Sequence, residues 1–399
     1  MKTWSVIIWM IILFAGCRKV YNPAPIKTNY NYLVVEGTIN NGDTTFINLS
    51  RTVTLSGQTR LSPELNAAVT VENDQSTGYT LTETKKGIYF LAGVTLDVNR
   101  KYRLRIKTIN NQEYLSDFVA VTNSPPIDSI SYAIESNGIQ VYANTHDPKN
   151  NTRYYRWAYN ETWQIHSIFD SFFKSNGDTV LFRDLVNDDI YTCWQTDTSS
   201  TIILGSSAKL TNDVIYQNPV TFVPSTSVKL VTGYSILVKQ YAITGDAYTF
   251  WGNLKKNTEQ LGSVFDALPT QINGNIHCIS NPSLPVIGYI NAGSVTTKRI
   301  LIHNRNLPAW LPPPILYDLS DSCGYVACLY KYVAPGSGIT VNQVDQLINY
   351  NKGAKYPLIP IDVIKPPGAP APIGYTAAFP ICVDCTLRGT NKMPPYWKY

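Results

Sequence analysis

The chain is poor in the residues that do chemistry. It holds only four histidines, His146, His166, His277 and His303, and none stands in a His-x-x-x-His or Cys-x-x-His interval that would bring two metal ligands to one helix face. A metalloenzyme is therefore not indicated. There is no Gly-x-Ser-x-Gly elbow, which removes the α/β type of serine hydrolase, and no Gly-rich phosphate loop. Glycoside hydrolysis needs two carboxylates across a cleft, and the candidates reduce to Asp184, Asp188 and Asp189, where Asn187-Asp188-Asp189 reads more simply as a polar turn. Charge is also scarce. Charged residues make up 15% of the chain and the net charge of +5 is spread without a Lys/Arg block, so nucleic acid is not an expected partner. Beyond the first residues no apolar run approaches the roughly 20 residues that cross a bilayer. No catalytic residue and no cofactor is expected.

What is present begins with the amino terminus. Met1-Lys2 is followed by Trp4 to Phe14, almost wholly apolar, and then by Ala15-Gly16-Cys17. A charged start, a short apolar run and a small-residue cleavage site make a signal peptide, residues 1–16. Ala-Gly-Cys resembles a lipobox, with Phe14 where leucine is usual, so Cys17 is the expected lipidation site and 17–28 the anchor and tether. Several acyl chains suffice for lasting attachment to a membrane where one gives only marginal binding. With Cys17 set aside, six cysteines are left: Cys193, Cys278, Cys323, Cys328, Cys382 and Cys385. An even number in an exported protein points to disulfides. Cys382-Val-Asp-Cys385 with Cys323 and Cys328 would also satisfy tetrahedral zinc, an alternative that export makes the weaker. Connectivity does not follow from the sequence.

The mature chain, with 44% apolar residues, is long enough for two domains with real cores. From 29 to 124 it is a succession of short β-rich runs between turn signals, at Tyr32–Gly37, Thr45–Leu49, Ala68–Val71, Ile88–Phe90 and Tyr102–Ile106. This spacing predicts an immunoglobulin-like or transthyretin-like β-sandwich. In the last run Lys101, Arg103, Arg105 and Lys107 alternate with Tyr102, Leu104 and Ile106, which puts four cations on one face. A solvated outer face is the simpler reading and an anion-binding stripe the sharper one. Ser124-Pro125-Pro126 breaks the chain, because proline withdraws a donor and restricts its predecessor. A second β-rich domain, 125–358, is expected beyond it, with strands that include Ile127–Tyr132, Ile139–Tyr142, Arg153–Tyr159, Ile202–Leu204 and Val228–Leu230. The fold class is mainly β with two short helices. One helix is predicted near 246–258, capped by Thr244 with Ala247, Phe250, Trp251 and Leu254 on its apolar side. The other is predicted near 341–351, with Thr340 and Gln343 as a capping box and Val341, Val344, Leu347 and Ile348 as its stripe. Residues 359–399 form a proline-rich tail, extended through Pro366 to Pro372 and pinned by cysteines.

Two weaker signals complete the survey. Asp147-Pro148-Lys149-Asn150-Asn151-Thr152 gathers oxygens that suit calcium, but lacks the alternate acidic spacing of a dedicated loop and fits a β-turn. Trp310, Tyr396 and Trp397 would offer flat faces to a sugar ring or a partner protein if exposed, and would equally serve as core anchors.

Several segments, in order, resemble the Bacteroidota outer-membrane lipoprotein family catalogued as domain of unknown function 4249. They are Leu33-Val34-Val35-Glu36-Gly37, Pro126-Ile127-Asp128-Ser129-Ile130, Arg153-Tyr154-Tyr155-Arg156-Trp157, Phe250-Trp251-Gly252-Asn253-Leu254 with Gly274-Asn275-Ile276, and Cys382 to Asn391 with Pro395-Tyr396-Trp397. The resemblance implies an outer-membrane location beside a TonB-dependent β-barrel transporter, and an accessory role in nutrient uptake with no ligand or catalytic residue to carry over. Surface-exposed lipoproteins of that phylum often carry acidic residues after the lipidated cysteine. Arg18 and Lys19 stand there instead, so the membrane face is open. The expected function is a non-catalytic accessory or ligand-binding lipoprotein; an envelope hydrolase acting on glycans or peptides, and an adhesin or spacer, are the alternatives.

Overall fold

The structure, a computed structural model, describes residues 31–53, 62–259, 273–310, 323–333, 335–348 and 358–398. The signal peptide, Cys17 and the tether lie outside the described residues. The chain is mainly β, as its period-two patterning predicts, and its strands gather into three packed bodies.

The first body is a sandwich. In the strand Leu33–Asn40, Leu33, Val35 and Ile39 point inward, and the antiparallel strand Thr45–Arg51 answers with Ile47 and Leu49. The strand Lys101–Lys107 supplies Tyr102, Leu104 and Ile106 to the same core, opposite Val69 and Val71 of Ala68–Asn73. Each such side chain removed from water contributes roughly 1.5–3 kcal/mol. The sheet is completed from far along the chain. Ile276–Cys278 extends one edge beside Glu113–Ser116, Val286–Gly288 lies parallel to Leu33–Asn40, and Ala292–Gly293 bridges Leu33–Asn40 to Val119–Thr122. Gly288 is required at this seam: with φ at +152°, a Cβ there would sit 2.3 Å from the Val35 carbonyl oxygen.

The second body stacks a three-stranded sheet, Ile127–Glu135, Gly138–Asp147 and Asp213–Pro224, on a five-stranded one. The larger sheet comprises Thr192–Thr198, Tyr154–His166, Ile203–Ser206, Gly233–Ala242 and Val295–His303. Tyr155, Trp157, Tyr234, Ile236 and Val238 face inward between the sheets. Polar groups that enter this core are paired. Trp157 Nε1 donates to Gln240 Oε1 at 3.0 Å, and Gln240 Nε2 donates to the Pro125 carbonyl at 2.8 Å, which ties the Pro-Pro segment to the sheet. Glu161 is held by Lys229 and by the Tyr234 hydroxyl at 2.8 Å. The two bodies are joined by Thr122 Oγ1 donating to the Ala242 carbonyl at 2.8 Å and by Ser124 N donating to Ser294 Oγ at 2.9 Å.

The helix Gly245–Glu259 follows the prediction. Ala247 N donates to Thr244 Oγ1 at 3.2 Å, and Ala247 and Phe250 are buried. The second helix is shorter than predicted, Val344–Ile348 within the described residues. Thr340–Val341 is strand paired with Tyr332–Val333. Asn342, not Thr340, caps it by accepting from Val344 N at 3.1 Å, while Gln343 Oε1 is drawn away to Leu329 N. Val228–Leu230 is likewise a 3-10 turn and not a strand, because the Ser227 hydroxyl accepts from Lys229 N.

The third body is C-terminal. Val326–Leu329, Gly374–Ala378 and Ile359–Ile364 form a small sheet, over which Val344, Leu347 and Tyr375 pack. The proline-rich segment is the loop joining two of these strands, with Ala369 N donating to the Pro366 carbonyl. Disulfides Cys193–Cys385 and Cys323–Cys382 fasten this body. Two of the six cysteines depart from the expectation of bridges: Cys278 and Cys328 are free thiols, buried in apolar cores and bonded to no second sulfur among the described residues. The bridging also separates Cys382 from Cys385, so these thiols do not form a zinc set. Among the described residues no helix is long and apolar enough to cross a membrane.

Candidate functional site

The residues that the sequence puts forward for binding do not meet at one place. Arg103 and Arg105 are neutralised on their own sheet: Glu72 lies 2.8 Å from Arg103 Nε and 2.5 Å from Arg105 Nε, and Glu113 also pairs with Arg105. Lys101 and Lys107 flank them in solvent. Asp147 spends its carboxylate on its own turn, accepting from the backbone N–H groups of Lys149, Asn151 and Thr152 at 2.8–3.0 Å. Trp310 is buried and donates to the Glu135 carbonyl at 3.0 Å. Trp397 is buried against Trp194. Both are core anchors, so the reading of them as exposed stacking faces is corrected. Tyr396 is half-buried, with its hydroxyl 2.8 Å from Thr162 Oγ1 and the Arg299 guanidinium 3.5 Å from its ring centroid. Asp184 and Asp189 accept from backbone N–H groups nearby and Asp188 pairs with Lys174 and Arg183, as turn and surface residues do.

A different site emerges from strand alternation. Because Tyr155 and Trp157 point into the second core, Arg156 must point the other way, onto the outer face of the five-stranded sheet. Arg156 stands opposite Tyr241 in register, and Tyr241 opposite Val295; the next row on this face is Ala158, Lys239 and Thr297. Arg156 and Lys239 are thus diagonal neighbours, about 7–8 Å apart by strand geometry. One end of this face is covered by Tyr396. The other lies under the helix Gly245–Glu259, whose Trp251 ring centroid is 4.3 Å from the Arg156 guanidinium, with Tyr241 at 5.4 Å. Between them the turn joining the first two strands, with Thr38, Thr44 and Phe46, leans over the sheet and encloses a cleft of about 280 Å³.

The electrostatics of this cleft are unusual. Neither the Arg156 nor the Lys239 side chain has a hydrogen bond or an ion pair among the described residues, the arginine meeting only the Trp251 and Tyr241 rings. Burial pushes the arginine below its ordinary pKa, with the Tyr241 phenol and the Glu36 charge opposing, and burial raises the Tyr241 phenol. Trp251 Nε1 is a buried donor without a partner among the described residues. The one carboxylate among the lining residues, Asp43, accepts from Thr44 N at 2.6 Å and pairs with neither cation. Phe46, 53% exposed, adds an apolar wall. The cleft therefore presents cations, hydroxyls and aromatic faces, which are groups that bind. Two larger hollows are lined differently: in one, of about 630 Å³, Arg51 is tied to Glu64 at 2.6 Å; the other, of about 600 Å³, lies along Ser124–Pro126, with Lys149 and Asp147 both in its lining and no aromatic wall.

Sequence reasoning passed over Arg156, Lys239 and Trp251 as binding residues. The available signal was an arginine on the alternate face of an aromatic strand, Tyr155-Arg156-Trp157, which apolar periodicity alone does not weigh.

Compared with models of protein families, residues 19–299 match one described as a domain of unknown function (DUF4249). The match takes in every residue lining the cleft and ends within the strand Val295–His303, short of the C-terminal body. No curated protein matches the chain.

Proposed function

We propose, from the premise that the chain belongs to the DUF4249 family, that it is an exported, lipid-anchored binding protein of the outer membrane that holds a small ligand beside a TonB-dependent β-barrel. The observation that carries this reading is the cleft between the first two bodies, with two uncompensated cations and an aromatic wall. Both cations are half-buried, and a charge withdrawn from water without an ionic partner is costly, so a site that keeps one is a binding candidate. Three segments that carry the family resemblance converge there: Gly37 from the first strand, Arg156 from the central strand and Trp251 from the helix. The anchor is supported by Ala15-Gly16-Cys17 behind its apolar run, and the transporter by what the family resemblance implies. Binding without turnover fits a cleft whose lining offers neither two facing carboxylates nor a nucleophile paired with a base.

The test is a pull-down of the tagged lipoprotein from detergent-solubilised membranes of its native host, with Cys17→Ala as the anchoring control. The expected result is recovery of a β-barrel with the wild type and release of Cys17→Ala from the membrane fraction. Recovery of the wild type alone would overturn the transporter association and turn attention to glycan and peptide turnover.

A further inference from the structure

We infer that the cleft between the sandwich and the five-stranded sheet is an anion site, taking a small molecule that joins a carboxylate or phosphate to a flat apolar group. This deepens the binding reading above and rests on it. The argument begins from what each wall lacks. Arg156 is aimed from the sheet into the cleft and Lys239 stands diagonal to it, and among the described residues neither is ion-paired with a carboxylate, Asp43 in the same lining included. A guanidinium presents a planar fork that matches both carboxylate and phosphate, while an ammonium adds a point charge at the side. The anion would sit between the two, where partial burial strengthens the attraction by reducing solvent screening. Hydroxyls of Thr38, Thr44 and Thr297 line the same space and can donate to remaining oxygens.

The rest of the ligand is fixed by the opposite wall. The Arg156 plane is already backed by Trp251 at 4.3 Å, so its open side faces the cleft, where Phe46 and Tyr241 supply apolar surface. Inorganic phosphate would leave that surface wet. An anion attached to a ring or short apolar chain covers it. The volume, about 280 Å³, is at the lower limit of ligand pockets and suits a small molecule more than a polymer. The two arginines of the Lys101–Lys107 strand do not compete, since Glu72 and Glu113 hold them.

The experiment is calorimetric titration of the full-length lipoprotein in detergent with phenylacetate, phenyl phosphate and inorganic phosphate at low salt. Saturable binding of one aromatic anion, tighter than that of inorganic phosphate, is expected, and whichever of the two binds more tightly identifies carboxylate or phosphate as the natural head group. Arg156→Gln should weaken that binding about tenfold or more, the loss expected for a charge-assisted contact, and Arg103→Gln should leave it unchanged. Should Arg156→Gln melt well below the wild type, Lys239→Gln at the more open side carries the test, with a severalfold loss expected. Absence of binding by all three probes, or affinity unmoved by both substitutions, overturns the assignment. The pull-down separates this failure from that of the broader reading. A barrel recovered with a protein that binds none of the probes sinks the anion site alone, and anion binding with no barrel sinks the transporter association alone.

Discussion

Arg156 and Glu161 stand on the same strand and on opposite faces of it, and the contrast shows how far a sequence discloses the fate of a charge. Glu161 points inward, where Lys229 and the Tyr234 hydroxyl compensate it; Arg156 points outward into a cleft with no such partner. Alternation assigns each to its face, but the partners come from strands and turns far along the chain, so compensation was not legible. The same limit explains Trp310 and Trp397, whose burial depends on Glu135 and Trp194. At this scale one ionisation is open to direct check. His146 Nδ1 lies 2.8 Å from Asp128 on the exposed face of the three-stranded sheet. The hydrogen bond and charge of Asp128 raise its pKa above the ordinary 6.5. A pKa raised on folding means that the pair's stabilisation is complete below about pH 6.5 and is lost as pH rises through the folded value. An NMR titration of His146 should place its midpoint above 6.5, and Asp128→Asn should return it towards that value; a midpoint that ignores the substitution would contradict the pairing.

Elements were read best where period and cap agreed. The strand Lys101–Lys107 keeps Tyr102, Leu104 and Ile106 buried as its alternation requires, and the Thr244 cap precedes a helix of the predicted extent. Where a local hydrogen bond competed, the reading failed. Ser227 turned the predicted strand Val228–Leu230 into a 3-10 turn, and a bond from Leu329 took Gln343 out of its predicted capping box. Cysteine pairing was the least legible, since it depends on which elements become neighbours. Cys193 on an edge strand meets Cys385 across 192 residues. Closing a loop of that length stabilises a fold by about 5 kcal/mol in the chain-entropy account. Replacing both cysteines by serine should therefore lower the urea midpoint by a corresponding amount of stability, several kcal/mol. A non-reducing peptide map of the wild type should show Cys193 joined to Cys385 and Cys323 to Cys382. Cys278 and Cys328 should resist alkylation until the protein is unfolded, the latter also because burial raises its thiol pKa. Ready alkylation of either in the native state, or a different map, would contradict this arrangement.

For the molecule as a whole, the first sandwich is not a contiguous stretch of sequence. Ser124-Pro125-Pro126 does separate the strand Val119–Thr122 from Ile127–Glu135, yet the chain returns to the first body at Ile276–Cys278, Val286–Gly288 and Ala292–Gly293. Those strands are two or three residues long and are flanked by turn residues, so they carry no period that a sequence could display; only the ladder with Leu33–Asn40 makes them strands. Their side chains nonetheless include Ile276, Val286 and Ala292, all buried in the sandwich core. A fragment ending at residue 124 would leave the Leu33–Asn40 edge unpaired and expose Leu33, Val35 and Ile39 on that side. Unpaired edges and open apolar faces favour aggregation over folding. The fragment 29–124 should thus show no cooperative melt and a poorly dispersed NMR spectrum, whereas the chain through residue 310 should retain the sandwich signals. A sharp melt of 29–124 alone would mean that the returning strands only decorate a body that already folds, and would make the junction carrying Gly37 and Phe46 independent of the sheet it faces. Loss of that melt would mean that the cleft's two walls are built in one folding event, with the returning segment as the tie between them.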